Sequence, residues 1–236
     1  MHKSNTLVTS NNKSINVYNA KNLHALSSKI LKKDIQVADT YLWFEELWEW
    51  ADFNEIDDSV IPRNIRDLIL VQRLDLSNKN LTSIPKEICE LISLYELNLF
   101  DNMISSLPDE LYKLVNLKIL NISNNIIKDI PVSLFSLYNL EELYAYGNQI
   151  TNIPKDIQQL EKLVNLDLYN NLIENIPSQI AKLTNLIELD LLKNRLSTLP
   201  VEICDLSTLR RLRISENFIR KIPNECAWMN SILIWK

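Results

Sequence analysis

The sequence is poor in the residues that many enzymes use to bind phosphate and to move protons. Gly147 is the only glycine among 236 residues, and His2 and His24 are the only histidines. Phosphate and dinucleotide loops need several glycines, because backbone N–H groups must approach the ligand closely. Histidine is the usual base or soft metal ligand near neutral pH, and both histidines lie in the first part of the chain. These shortages predict a chain that is not an enzyme and that holds no cofactor or metal.

Positive charge and long apolar runs are also in short supply. The formal net charge is -5, whereas binding to nucleic acid depends mainly on clustered lysine and arginine. Hydrophobic residues make up 46% of the chain, but no uncharged apolar run approaches the roughly 18 residues that a membrane helix needs. We therefore expect a soluble protein that binds neither nucleic acid nor membrane.

The cysteines are few and scattered, at Cys89, Cys204 and Cys226. The segment from Met1 to Ala20 is rich in serine, asparagine and lysine, and it lacks the apolar core of a signal peptide. An odd number of cysteines without such a signal predicts three reduced thiols and a cytoplasmic protein.

The prolines recur at a fixed interval. Successive prolines are 23 residues apart throughout the chain, at Pro62, Pro85, Pro108, Pro131, Pro154, Pro177, Pro200 and Pro223. A period in the low twenties is typical of a solenoid built from strand-plus-turn units. Seven full copies begin at Val71. A partial copy precedes them (Ile61, Pro62, Ile65, Leu68), and a short strand follows, with Ile232 and Trp235 at the first and fourth positions of an eighth copy.

Each copy repeats the same residue types at fixed positions, called slots here and counted from one at the start of the copy. One copy reads Leu163-x-x-Leu166-x-Leu168-x-x-Asn171-x-Ile173-x-x-Ile176-Pro177-x-x-Ile180-x-x-Leu183. Apolar slots four and six predict a short strand that buries them and turns slots three, five and seven outward. Asparagine at slot nine in six copies predicts a ladder of buried amides that satisfy backbone groups at the bend. Proline at slot fifteen suits the first residue of a short helical turn.

This pattern resembles the leucine-rich-repeat family, in its 23-residue type with an Ile/Leu-Pro step. Similar repeats occur in bacterial effector-like proteins and in intracellular Ras-pathway scaffolds. The resemblance implies an α/β solenoid, curved as a horseshoe, with a concave parallel sheet that binds proteins and short helical or 3-10 segments on the convex side. Three copies depart from the pattern, because Lys79 replaces the slot-nine asparagine, Ala145 replaces a core leucine or isoleucine, and Cys226 and Met229 occupy apolar slots of the last copy. Cys89 and Cys204 share one slot five turns apart, too far for a disulfide.

The pattern divides the chain into three parts. Residues 1–21 are predicted to be disordered, residues 22–60 form a helical N-terminal cap, and residues 61–236 form the repeat domain. A helix is predicted between Ala38 and Phe53, with Asp39 or Thr40 as its N-cap. One face of this helix would cover the first turn (Tyr41, Phe44, Trp48, Ala51), and a second apolar stripe remains on it (Trp43, Leu47, Trp50). The stretch from Leu23 to Leu31 is the nearest candidate to cover that stripe, and the alternative is that the stripe binds a partner.

The carboxyl end of the repeats lacks a polar cap in the sequence. We expect Trp235 to lie across the core of the seventh turn as a lid. Because one indole cannot pair the edge strand, we also expect either self-association through this end or fraying of the last turn.

The outward slots predict the binding surface. Slots five and seven bring apolar residues into a central group, called here the aromatic band: Phe100, Tyr144, Tyr146, Tyr169 and Leu192. Carboxylates flank it and form the acidic surround: Glu96, Glu142, Asp167, Glu188 and Asp190. Aromatic residues concentrate binding energy in protein interfaces, although they also favour strands whatever their exposure. The acidic surround implies a protein partner with a basic rim, and Arg210, Arg211 and Arg213 form a separate basic corner.

Two functions follow from this surface. The leading prediction is a non-catalytic scaffold that binds a protein partner on the concave face inside the cytoplasm. The alternative is a bacterial effector that a specialised system secretes and that acts by binding host proteins, with the Ser/Asn-rich first segment as its export signal.

Overall fold

The repeats form one parallel sheet in a computed structural model, which describes residues 42–226 and 233–234. Its eight strands follow one another in chain order: β1 (Arg73–Asp75), β2 (Glu96–Asn98), β3 (Ile119–Asn121), β4 (Glu142–Tyr144), β5 (Asn165–Asp167), β6 (Glu188–Asp190), β7 (Arg211–Arg213) and β8 (Leu233–Ile234). From β1 to β7, paired residues are 23 positions apart, as in Arg73 beside Glu96. The same slot therefore stacks in successive turns, and each outward slot becomes a column of side chains.

The core lies behind the sheet and is filled by the apolar slots. The middle residue of each strand from β1 to β7 is buried, whereas its two neighbours are exposed or half-buried. Leucine or isoleucine at slots eighteen and twenty-one, such as Leu134 and Leu137, is fully buried on the opposite side. The predicted horseshoe solenoid is confirmed, including the inward and outward alternation of the strands.

The slot-nine asparagines tie each turn to the one before it. Asn148 accepts the N–H of Ile127 at 3.0 Å, and its amide nitrogen donates to the carbonyl of Ile122 at 2.9 Å and of Ala145 at 3.2 Å. The other members repeat this geometry: Asn102, Asn125, Asn171, Asn194 and Asn217. The amide ladder is confirmed, and it satisfies backbone groups that the bend would otherwise bury unpaired.

Slot eight takes a left-handed backbone conformation in all seven turns. Its residues have φ between 51° and 65°: Asn78, Asp101, Asn124, Gly147, Asn170, Lys193 and Glu216. Asparagine, aspartate and glycine tolerate this region best, and they fill five of the seven positions. The only glycine of the chain is therefore a bend residue, and a Cβ atom at Gly147 would collide with the Asn124 side chain.

Short 3-10 helices form the convex side: Lys86–Glu90, Asp109–Lys113, Val132–Ser136, Lys155–Gln159, Ser178–Lys182 and Val201–Asp205. The repeated proline precedes each of them rather than opening it, so the sequence prediction placed the start of these helices one residue too early. Pro131 has φ -66° and ψ 142°, and its carbonyl accepts the N–H of Leu134 at 3.0 Å. The fixed φ of proline is compatible with both helical and extended backbone. The extended ψ places the proline in the segment that leads from the bend to the helix.

Within residues 42–72, two α-helices precede the sheet, α1 (Trp43–Phe53) and α2 (Ile65–Leu68). Helix α1 buries Phe44, Leu47 and Ala51, which lie on one helical face because they are three and four positions apart. Leu47 therefore belongs to the core face and not to the second apolar stripe, which corrects the sequence assignment. The Trp48 indole N–H donates to the carbonyl of Pro62 at 2.9 Å and joins α1 to the partial copy. The predicted N-cap residues and the predicted disordered segment lie outside the described residues.

Two of the three cysteines are paired, contrary to the prediction of three reduced thiols. Cys204 and Cys226 form a disulfide with their Cα atoms 4.8 Å apart. They are 22 residues apart, so neighbouring turns of the stack bring them within bridging distance, whereas Cys89 and Cys204 lie five turns apart. Cys89 is a buried free thiol, and burial raises its pKa to about 12.

The last strand is displaced from the 23-residue register. Leu212 lies beside Leu233, and Arg213 lies beside Ile234. Leu233 thus takes the place that the sequence assigned to Trp235, because the last turn is two residues shorter than the others. The predicted Trp235 lid falls outside the described residues, and self-association through this end stays a prediction.

Replacing Asn148 with alanine should lower the free energy of unfolding by about 2–4 kcal/mol, since several buried backbone groups lose their partner at once. Chemical denaturation measures this change. The matched control is Asn152→Ala, because Asn152 is exposed and donates only to its neighbour Thr151. A loss as large in the control as in Asn148→Ala would contradict the structural role of the ladder.

Glu87 gives the fold a specific dependence on pH. Burial raises the pKa of this carboxyl above 4.5, and a hydrogen bond with Glu46 raises it further. The folded state therefore holds this proton to a higher pH than the unfolded state does, so stability falls as pH rises from the unfolded pKa through the folded one. Glu87→Gln should raise the melting temperature at neutral pH and flatten this fall. Thermal unfolding at several pH values tests this, and an unchanged pH profile would contradict it.

Candidate functional site

The aromatic band lies on the outer face of the sheet, and three of its rings form a column at slot seven. The ring centroids of Phe100 and Tyr146 are 6.1 Å apart, and those of Tyr146 and Tyr169 are 6.5 Å apart. Phe100 and Tyr146 belong to turns separated by the turn of Ser123, a small residue that is fully buried. The two large rings can therefore meet over it. The structure thus brings together Phe100, Tyr146 and Tyr169, and all three are half-buried.

Slot five has a structural role that the sequence analysis missed. In five turns its side-chain oxygen accepts the N–H of the slot-seven residue, through Asp75, Asn98, Asn121, Asp167 and Asp190. Such a bond ends the strand and starts the bend. Asp167 and Asp190 therefore hold the backbone of Tyr169 and Leu192, besides facing the surface. The recurrence of aspartate or asparagine at slot five was the signal for this role.

Tyr144 departs from this pattern at the middle of the sheet. It occupies slot five without a side-chain acceptor for the slot-seven N–H, and its hydroxyl instead donates to Glu142 at 2.5 Å. Burial raises the pKa of Tyr144 to about 12, and the hydrogen bond to Glu142 adds to this effect. The fourth turn thus replaces a strand-ending residue with a half-buried phenol on the exposed face.

Most of the acidic surround is compensated within the sheet. Arg73 pairs with Glu96 at 3.2 Å, Arg211 pairs with Glu188 at 2.7 Å, and Arg213 pairs with Asp190 at 3.0 Å. The predicted separate basic corner is therefore wrong for Arg211 and Arg213, which reach across to the preceding strand. Each such pair stacks one slot of adjacent turns, so an arginine and a carboxylate in the same column meet directly.

Three carboxylates near the rings have no such partner: Glu142, which accepts the Tyr144 hydroxyl, and the aspartates Asp101 and Asp167. Among the described residues, no lysine or arginine forms an ion pair with Asp101 or Asp167. Burial raises the pKa of Asp167, and the charge of Asp190 raises it further, whereas the Tyr169 N–H and Arg213 lower it. Burial raises the pKa of Tyr146 as well, with smaller contributions from Asp167 and Asp101. The sequence analysis missed Asp101 because it lies at slot eight, outside the three columns considered.

A hollow of about 100 Å³ opens beside these residues on the same face, lined by Tyr144, Asn165, Leu166, Asp167, Glu188, Leu189, Asp190, Arg211 and Arg213. Apolar side chains at slot ten extend the aromatic band past the bend. Met103 is 48% exposed and Ile126 is 43% exposed, although apolar side chains of this size are usually buried. The surface therefore has an apolar margin at the carboxyl ends of the strands and, over their middle, a hollow lined by both charged and apolar side chains.

The described part of the chain contains no group of histidine, cysteine, aspartate and glutamate that could hold a metal ion. Nor does any helix found there have the length and apolarity to cross a membrane.

The Tyr144 phenol offers a direct test of this geometry. The phenolate absorbance that Tyr144→Phe removes should appear near pH 12, because burial and Glu142 both favour the protonated form. In the Glu142→Gln variant the same signal should shift to lower pH. A Tyr144 phenolate that forms near pH 10 in the intact protein would contradict the contact with Glu142.

Comparison with solved structures finds the same fold in proteins of several kinds. A leucine-rich-repeat protein of Leptospira interrogans is 38% identical with a TM-score of 0.69, and the match covers 72% of this chain and 44% of that one. The ectodomain of the plant membrane receptor kinase GASSHO1/SCHENGEN3 from Arabidopsis thaliana, in complex with Casparian strip integrity factor 2, is 30% identical with a TM-score of 0.64 and coverages of 70% and 21%. An internalin of Listeria monocytogenes is 27% identical with a TM-score of 0.63 and coverages of 73% and 50%. The chain thus spans half or less of the length of each of these structures.

No curated protein matches the sequence. The profile of the leucine rich repeat family matches residues 69–126, 115–173 and 161–219, which together make up more than half of the chain. The fold of this family is a protein-interaction scaffold, and its members are generally not catalytic. With these matches and the observed stack of strands, bends and asparagine ladder, the chain belongs to the leucine-rich-repeat family.

Proposed function

We propose that this chain is a non-catalytic scaffold that binds a protein partner on its concave face, through the aromatic band. The observation that carries the proposal is Tyr144. At slot five an aspartate or asparagine would end the strand, as it does in five other turns. The fourth turn gives up that hydrogen bond and presents a phenol on the exposed face. The other turn without this bond has Arg213 at slot five, which pairs with Asp190, so only the fourth turn places an aromatic side chain there for a partner to contact.

The rings of the aromatic band are suited to an interface because they are already ordered. Phe100, Tyr146 and Tyr169 contact one another in a column, so a partner would immobilise few additional rotors. Tyrosine also offers a large apolar surface with a polar tip, which is why interfaces are enriched in it. The general preference of aromatic residues for strands does not explain the site at Tyr144, where the repeat itself favours a short acceptor.

The charge of the face favours a protein partner with a basic rim over nucleic acid. The formal net charge is -5, and the arginines of the face are paired with carboxylates. Phosphate groups would therefore meet little uncompensated positive charge on this face. The basic rim of the partner would orient the partner and speed its association more than it would raise the affinity.

Replacing Tyr144, Tyr146 and Tyr169 together with alanine should weaken binding of the partner by about tenfold or more, because interface aromatics carry much of the binding energy. The partner is recovered from native lysate with the wild-type protein, and its affinity for each purified variant is then measured by calorimetry. The matched control replaces Tyr112 and Tyr138, which are 50% and 59% exposed outside the aromatic band.

The melting temperature should stay close to that of the wild type in both variants. If the concave variant binds the partner as tightly as the wild type, or if the control loses as much affinity, the binding surface lies elsewhere and the proposal is wrong.

A second candidate is an exported protein that acts by binding the proteins of a host. The disulfide between Cys204 and Cys226 favours it, because disulfides persist mainly in oxidising compartments. Both candidates use the same concave face and differ in where the protein works. Fractionation of cells and medium, combined with alkylation of free thiols after denaturation, separates them, because denaturation exposes the buried Cys89. A protein retained in the cytoplasm with all three thiols reactive supports the intracellular scaffold, whereas an exported protein with one reactive thiol supports the effector.

A further inference from the structure

The aromatic column at slot seven has an uncompensated carboxylate at each end. Asp101 directly follows Phe100 in the chain, and Asp167 accepts the N–H of Tyr169 at 3.0 Å. Each aspartate is thus close to the backbone of one terminal ring residue, and Tyr146 lies between the two terminal rings. Elsewhere on the sheet the acidic residues Glu96, Glu188 and Asp190 each have an arginine partner.

We propose that the column of Phe100, Tyr146 and Tyr169, with Asp101 and Asp167 at its ends, binds arginine side chains of an extended basic segment in another protein. The proposal rests on the proposed function and names the chemistry of the partner at that site. In this proposal the cation contacts Asp101 and Asp167, which form no ion pair among the described residues. Glu96, Glu188 and Asp190 are already paired with arginines.

The geometry favours a guanidinium group over other occupants. Its planar face stacks on aromatic rings, and its N–H groups donate to carboxylates at the same time. The ring centroids stand 6.1 Å and 6.5 Å apart, the rings are tilted, and all three residues are half-buried, so part of their surface stays accessible to a partner. An acidic segment would meet Asp101 and Asp167 as like charges, and a purely apolar segment would bury the charge of Asp167 without a cation to balance it. The column spans four turns of the stack, so an extended segment can follow it.

The repeat itself supplies mild substitutions for testing this site. Asn98 and Asn121 make the slot-five hydrogen bond in their own turns, so Asp167→Asn keeps the bond to Tyr169 and removes only the charge. Asn78, Asn124 and Asn170 hold the slot-eight conformation, so Asp101→Asn is equally mild. Asp75→Asn is the matched control, because Asp75 lies at slot five, accepts the N–H of Ser77 and belongs to the first turn, which contributes no ring to the column.

The probes are a short unstructured arginine-rich peptide and the same peptide with citrulline in place of each arginine. The wild type should bind the arginine peptide and lose most of this affinity with the citrulline peptide, which has the same shape without the charge. Asp101→Asn and Asp167→Asn should each weaken binding of the arginine peptide by about threefold to tenfold, and Asp75→Asn should leave it unchanged. Calorimetry gives these affinities, and the melting temperatures of the variants check that each one is folded.

Three outcomes would overturn the inference: equal binding of the arginine and citrulline peptides, full affinity of both asparagine variants, or an equal loss in Asp75→Asn, which would indicate a general effect of charge. These failures are distinct from a failure of the proposed function. If the native partner is lost from the triple tyrosine variant but retained by the Asp101→Asn, Asp167→Asn double variant, the concave face binds protein and the arginine chemistry is wrong.

Discussion

The side-chain amide at slot nine is the interaction on which the rest of this structure depends. Each bend buries backbone N–H and carbonyl groups that cannot reach a partner within their own turn, and leaving them unpaired would cost more than the bend can recover. The asparagine side chain supplies both a donor and an acceptor, and it uses them to bond the backbone of the preceding turn. Asn148, for example, accepts the N–H of Ile127 and donates to the carbonyl of Ile122. This bond fixes the register between successive turns. The columns of outward side chains exist because that register is the same from β1 to β7.

A fixed register divides the slots into those that maintain the stack and those that are free to vary. Slots four, six and nine are committed to the core or to the ladder, and slot eight must tolerate a positive φ. Slot five has both a structural and a surface role, since one oxygen of an aspartate or asparagine there ends the strand by accepting the slot-seven N–H. For the side chains at slots three and seven, the described turns show no recurring hydrogen bond to the backbone. Specificity in such a stack therefore resides mainly in those two columns and in any turn that leaves slot five out of its usual role.

The period and the inward slots could be predicted from the sequence because each is a pattern along a single copy. The asparagine ladder was predictable for the same reason, since an amide repeated at a bend has few other uses. The disulfide between Cys204 and Cys226 was missed because it joins different slots of adjacent turns, and a comparison within one slot considers only Cys89 and Cys204. The ion pairs of Arg211 and Arg213 were missed in a related way. Residues in one column were read as a list of charges, whereas adjacent members of a column are in contact.

The same contacts change how charge on the concave face should be interpreted. A carboxylate that stacks under an arginine, as Glu188 does under Arg211, is neutralised locally and has little left to attract a partner. Counting acidic residues thus overestimates the attraction of this face for a basic partner. The informative residues are the carboxylates that no lysine or arginine pairs with. Asp167 meets this condition in spite of its place beside Asp190, because Arg213 is engaged by Asp190. Asp101 meets it because slot eight selects residues for their backbone conformation, and an aspartate can serve there while its charge stays free for binding.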